Sequence, residues 1–241
     1  MTVQKRYQHG FALLGSYTLS KSTDSVSTNV AYCCAASPND PRGPGFNRGL
    51  SDYDRTHVFT LSPILDLPKF AGQNRFVRAV LGNWTTSGIL SLRTGYPLTI
   101  SEGNSSFGSL SGTFAGRADL TSIAVTTTSN HDAIWHVGYF NQSAFTHPAL
   151  GTFGTEGRNS GALRSPGFAN YDAMLSKQFP LRENMKLQFR FETYNTINRV
   201  NFCAAPDLNV SSATFGRSTS TGSGLDNCTP RMLQFGMKFM F

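Results

Sequence analysis

Asp52, Asp54, Arg55 and His57 bring two carboxylates, a guanidinium and an imidazole into one short stretch. These are the ingredients of general acid/base chemistry. Catalysis also needs a nucleophile or reacting group within reach of the base and a third group to orient it. The spacing matches no triad and no metal template, and the stretch stands where a polar loop runs into a strand. The four residues therefore read as a structural charge network at a rim. His131 and His136 lie five positions apart without an acidic partner pattern, which is not metal-ligand spacing. Gly151-Thr-Phe-Gly-Thr-Glu-Gly157 lacks the Gly-Lys-Ser/Thr of a phosphate loop and reads as a turn. None of the 4 cysteines belongs to a Cys-x-x-Cys pair. The expectation is no catalytic residue, no metal and no cofactor: not an enzyme.

Another set of charged residues has a clearer pattern. Met185, Leu187, Phe189 and Phe191 alternate with Lys186, Gln188, Arg190 and Glu192, which is the two-faced period of a strand. The same alternation places Arg93 and Asp172 on polar faces of their strands. In the last stretch, Leu233, Phe235, Met237, Phe239 and Phe241 form one wholly apolar face, opposite Gln234, Gly236, Lys238 and Met240. In water an edge strand of that kind would aggregate. In a membrane barrel it is the expected design, with lipid outside and a wet lumen inside. Arg93, Asp172, Lys186, Arg190, Glu192 and Lys238 are then the lumen-lining candidates. They either line a solute path or pair with one another or with a plug, and pairing is the preferred reading.

Bulk properties agree with a barrel. The chain has 241 residues, 39% hydrophobic and 15% charged, with 19 Phe and 23 Gly. Mean hydropathy is -0.24, and no apolar run approaches the ~18 residues of a spanning helix. A barrel needs only alternate residues to be apolar. The net charge of +7 is scattered, with no Lys/Arg run, so nucleic acid is not an expected partner. The start, Met1-Thr-Val-Gln-Lys-Arg, has no apolar signal-peptide core. An exported protein needs one, so the expectation is a piece of a longer chain.

Read in order, strands are predicted over Gly10–Lys21, Arg55–Leu67, Trp84–Leu98, Asn170–Phe179, Met185–Glu192 and Arg231–Phe241. Pro63 predicts a bulge or local irregularity. Trp84 and Tyr96 have the spacing of two aromatic belts. Lys177 breaks its apolar face near the rim, where a lysine can snorkel. The turn Pro180–Asn184 is short, Lys69–Leu81 is a basic connection, and the polar stretches 22–54, 101–168 and 202–230 are long loops, the second with extra hairpin structure. Short turns at one end and long loops at the other are the habit of outer-membrane barrels. About six strands cannot close a barrel that needs about eight, and open edges are not viable in lipid. The fold class is all-β: an antiparallel transmembrane barrel segment, with residues 1–241 as the C-terminal portion of a larger barrel.

Cys203 follows an ascending strand and Cys228 precedes the descending one, so both belong at one end of one hairpin. Cell-surface conditions favour oxidation. A disulfide there would close a loop of about 24 residues and contribute roughly 3 kcal/mol. Cys33 and Cys34 are adjacent and cannot easily bridge each other; they pair elsewhere or stay free.

Several stretches together resemble the C-terminal barrel region of TonB-dependent outer-membrane transporters, specifically the Oar-like group with a carboxypeptidase-regulatory-like N-terminal domain. They are Asp52-Tyr-Asp-Arg-Thr-His-Val-Phe59, Gly82-Asn-Trp-Thr-Thr-Ser-Gly-Ile-Leu90 with Thr94-Gly-Tyr-Pro97, Tyr139-Phe-Asn-Gln-Ser-Ala-Phe145, Gly154 to Asn159, Pro166-Gly-Phe-Ala-Asn-Tyr-Asp172, Phe191 to Phe202 and the terminal strand. The resemblance implies a barrel of about 22 strands around a plug, energised through the TonB complex by N-terminal parts that this sequence lacks. It implies location in the bacterial outer membrane, contact with its lipid, and insertion by the barrel-assembly machinery, which reads the terminal Phe strand. It also implies uptake of an unidentified solute too large for porins. The alternative is a non-transporting barrel or surface adhesin whose loops bind a partner.

Overall fold

In the computed structural model the described residues are 1–27, 43–72, 74–103, 116–182, 185–202, 205–218 and 228–241. Seven strands form one antiparallel sheet in chain order. They are β1 (Thr2–Gln8), β2 (Phe11–Leu19), β3 (His57–Asp66), β4 (Trp84–Arg93), β5 (Phe168–Arg182), β6 (Met185–Tyr194) and β7 (Met232–Met240). Six match the expected strands with ends moved by a few residues; Trp84–Leu98 stops early, at Arg93. The seventh, β1, is an addition. Its odd positions are Val3, Lys5 and Tyr7, so no clean apolar face announces it. It joins β2 through His9 and Gly10, both at positive φ (54° and 77°), the conformation that lets a two-residue turn follow strand twist.

Register keeps like with like across the sheet. Gly15, Leu61, Leu90 and Tyr171 form one transverse row, and Leu175, Phe191 and Phe235 continue the same face two rows away. The opposite face carries Ser16, Thr60, Ser91 and Asn170, then Ser87, Met174, Glu192 and Gln234. Of the bulge or local irregularity expected at Pro63, the irregularity is found: the pairs at Ser62 and Pro63 are missing from the β3–β4 ladder, while the register is the same on both sides. Without an N–H, proline drops a ladder bond but does not shift the strand. Pro180 to Arg182, expected as turn, belong to β5, with the register shift between Pro180 and Arg182; the turn residues 183–184 lie outside the described residues.

The wall has almost no interior of its own. The buried core lies above it, in a dome made by the long connections: Leu98, Ile100, Ala118, Phe140, Ala144, Phe145, Leu163, Val210 and Phe215. Phe140 and Phe215 meet edge-on at 5.2 Å, with Phe145 at 5.8 Å from Phe215. Small pairings frame this core: Pro97–Leu98 with Ser160–Arg164, Thr23–Asp24 with Gly49–Leu50, and Asp119–Leu120 with Phe145–Thr146. Helix His131–His136 buries Ile134, with the Asn130 side chain capping its first turn. The extra structure expected in 101–168 is thus real, though it packs as a small domain-like cap and not as long hairpins.

Candidate functional site

Two regions bring together the side chains picked out by type and spacing: the rim where loops meet the wall, and the polar face of the sheet. At the rim, Arg158 is buried and donates to Asp24 Oδ1 at 2.6 Å, Asp52 Oδ1 at 2.9 Å and Ser27 Oγ at 2.9 Å. Asn159 Nδ2 donates to the same Asp52 oxygen at 2.6 Å and to the Leu50 carbonyl at 2.8 Å. Arg164 donates to Asp54 Oδ2 at 2.6 Å and to the Gly95 carbonyl at 2.9 Å, while Ser22 N–H takes the other Asp54 oxygen. Arg55 donates to the Thr94 carbonyl and lies 4.3 Å over the Tyr96 ring. His57 stacks on Tyr17 and shares a 2.8 Å hydrogen bond between Nδ1 and the Tyr17 hydroxyl.

Asp52, Asp54, Arg55 and His57 are therefore separated into different partnerships, with loops clamped to the wall as the result. Burial pushes the Asp24 carboxyl up, but Ser27, Arg158 and Ser51 outweigh it and hold it below its ordinary value. Ion pairs made to a buried guanidinium favour one loop arrangement over others, since breaking them would strand the Arg158 charge. Among the described residues no group of three or more His, Cys, Asp or Glu could hold a metal ion.

Glu156 is the exception to this satisfaction. It is buried, its Oε2 accepts from Ile100 N–H at 2.9 Å, and its Oε1 has no partner. Desolvation raises its pKa to about 8, against smaller lowering effects from Ile100 N–H, Arg117 and Ser160. Below that value the acid is neutral, which is the form a dry core tolerates.

The lumen candidates fall into three levels. Asp172, Arg190 and Glu192 share a middle band: Arg190 pairs with Glu192 at 2.5 Å, Tyr194 donates to Glu192 at 3.1 Å, and Asp172 accepts from Asn170 and from Asn195 N–H. Arg93 sits near the rim, 5.1 Å from the Phe168 ring centroid. Lys186 and Lys238 lie at the opposite end, beside Met240 and Gln188 respectively. Lys186 lines an open groove of about 450 Å³ with Tyr7, Asp66, Lys69, Thr85 and Gln178. The six candidates do not form one cluster: Arg190 and Glu192 pair, and Asp172 lines the same hollow.

Spacing did not reveal several contacts. Tyr7 belongs to the apolar parity of β1, yet a register shift between Lys5 and Gln8 turns it to the polar face, where it donates to Asp66. A doubled pairing step in that weakly patterned strand was invisible in sequence. Arg158, Asn159 and Arg164 come from the long polar stretch 101–168, expected as loop, and their acidic partners lie more than a hundred residues away. Leu233, Phe235, Met237, Phe239 and Phe241, the expected membrane-assembly strand, are exposed, with Phe235 packed 4.9 Å from Phe191. Cys228 is disulfide-bonded. The predicted partner Cys203, and also Cys33 and Cys34, lie outside the described residues.

The family model described as "Outer membrane beta barrel domain" matches residues 1–234. No curated protein and no solved structure matches the chain. The match places the chain in the bacterial outer membrane.

Proposed function

We propose, for a chain that belongs to the outer membrane beta barrel domain family, that it forms part of the wall of a TonB-dependent transporter or receptor of the Oar-like group. Its solute would be a nutrient too large for porins. The observation that carries this reading is the shape of the wall. Seven strands pair in chain order, and β1 and β7 each have a partner on one side only among the described residues. A seven-stranded sheet with two open edges is an arc of something larger, because bare backbone groups are not viable in lipid. Its inner face carries mixed charge in the Asp172–Arg190–Glu192 band, suited to a wet interior that meets a plug or solute. The ordered segments quoted above as resembling the Oar-like group support the same reading.

The test is deletion of the gene in its own bacterium, compared with a strain whose TonB is inactive, on a panel of single nutrient sources. Loss of uptake of the same nutrient in both strains, restored by complementation, is the expected result. Uptake at the parental rate on every source, with reduced surface attachment, would replace transport by the display of binding loops.

A further inference from the structure

The connection between β3 and β4 contains a short helix, α1 (Arg75–Leu81), that the sequence presented only as a basic stretch. It is a built element. Asn74 caps it by accepting from Val77 N–H at 2.8 Å, and Gly82 N–H closes it on the Arg78 carbonyl. A Cβ at Gly82 would fall 2.6 Å from the Lys69 carbonyl oxygen and 2.7 Å from that of Arg78, so the chain can make this close return only with glycine.

The position of α1 is fixed by side chains of the lipid face. Lys177 stands opposite Trp84 on one side and Phe189 on the other, and Trp84 meets Phe189 edge-on at 6.3 Å. Lys177 Nζ donates to the carbonyls of Ala79 and Val80 at 2.6 and 3.0 Å, and Trp84 Nε1 donates to Val80 at 3.0 Å. The expected snorkelling lysine therefore does something different: it is buried under α1 and satisfies the helix's last carbonyls. These three bonds fasten the C-terminal end of α1 to the outer surface of the wall, not to the lumen.

At about 100° per residue, Phe76, Val80, Val77 and Leu81 occupy one arc of α1, and Arg78, Arg75 and Ala79 the other. Phe76 is 75% exposed, and Val80 and Leu81 are about half exposed. The helix lies at the end of the short turns, the periplasmic end in this family. An apolar arc beside a basic one, continuous with a lipid-contact face, is the composition of an element that lies in the headgroup boundary.

We propose that α1 is an interfacial anchor on the periplasmic leaflet. Phe76, Val80 and Leu81 enter the acyl boundary, and Arg75 and Arg78 bind the phosphates of anionic phospholipid headgroups. The anchor fixes the depth of the wall at that end.

The test uses the protein purified from outer membranes and reconstituted in vesicles of phosphatidylethanolamine and phosphatidylglycerol, with a bimane label at Phe76→Cys or Leu150→Cys. Leu150 is 89% exposed in the dome and serves as the water-facing control. Bromine on the upper acyl chain should quench the Phe76 label at least about twofold more than aqueous iodide does, with the reverse at Leu150. Replacing phosphatidylglycerol by phosphatidylcholine should weaken that acyl-chain quenching, and Arg75→Gln with Arg78→Gln should remove the difference. A Phe76 label that behaves like the Leu150 label overturns the anchor. So does a Phe76 label protected from both quenchers in native membranes, which would mean that a protein covers the helix. Acyl-chain quenching that ignores phosphatidylglycerol overturns the headgroup contact.

Discussion

The wall and the dome above it obey opposite rules. In the dome, apolar side chains hide from water: Ile100 is fully buried, and Phe140, Phe145 and Phe215 pack on one another. In the wall they face outward, and Met237 is 77% exposed. The same residue types are placed inside where the surroundings are water and outside where they are lipid, since the hydrophobic effect acts only against water. The polar groups invert in the same way. The dome buries Arg158 against Asp24 and Asp52, whereas the wall carries the Arg190–Glu192 pair on the face opposite its apolar one. Membrane stability in the wall then rests on ladder bonds and lipid contact, and dome stability on a packed core.

Removing the same ring from each region separates the two rules. Phe140→Ala should destabilise the dome by about 3–5 kcal/mol, because a cavity is left in a close-packed core. Protease cleavage of the dome in intact membranes would show it, with the wall still resistant. The matching change Phe235→Ala leaves space that lipid fills and should cost much less. Should both cost the same, the distinction between the regions would fail.

Charge placement makes the next test. Phe235→Arg should oppose folding into vesicles by about 2–4 kcal/mol if the residue sits near the bilayer midplane, whereas Gln234→Arg on the lumen face should be nearly neutral. Urea titration of vesicle folding measures both.

Glu156 provides a test confined to the dome. Burial pushes its carboxyl up to about 8 in the folded chain, from an ordinary value of 4.5. Between those values the unfolded chain has released the proton and the folded chain retains it, so stability is greatest below the lower value and falls as pH rises. The loss should be about 2 kcal/mol between pH 5.5 and 7.5. Thermal unfolding of the dome followed by hydrogen exchange reads it, and Glu156→Gln should flatten the profile while the wall stays indifferent. The smallest effect belongs to Arg190→Ala: its ion pair with Glu192 is partly exposed, so folding should change by no more than about 0.5 kcal/mol.

How much of this was visible beforehand follows from the range of each interaction. The lipid face was legible because alternation is local: Phe189 and Phe191, or Phe235, Met237 and Phe239, announce it within one strand. β1 was not, since Lys5 interrupts its apolar parity and the register shift before Gln8 re-aims Tyr7. The sequence places Asp52, Asp54, Arg55 and His57 at a rim as a charge network, but it does not point to Arg158 and Arg164, the partners of the two aspartates. Nothing local tells an arginine in one loop that it faces an aspartate in another more than a hundred positions away. Helix α1 was missed because seven residues show barely two turns of period, too few for basic and apolar positions to separate by eye.

The most direct measurement of the central claim is thiol accessibility in native outer membranes. Gln234→Cys, Phe235→Cys and Leu150→Cys would each be exposed to a membrane-impermeant maleimide after outer-membrane permeabilisation. Labelling at Gln234 and Leu150 with protection at Phe235 is the predicted result: adjacent residues of β7 in two different solvents, and the dome in water. Equal labelling at Gln234 and Phe235 would contradict it, because the apolar face of the wall would then face water.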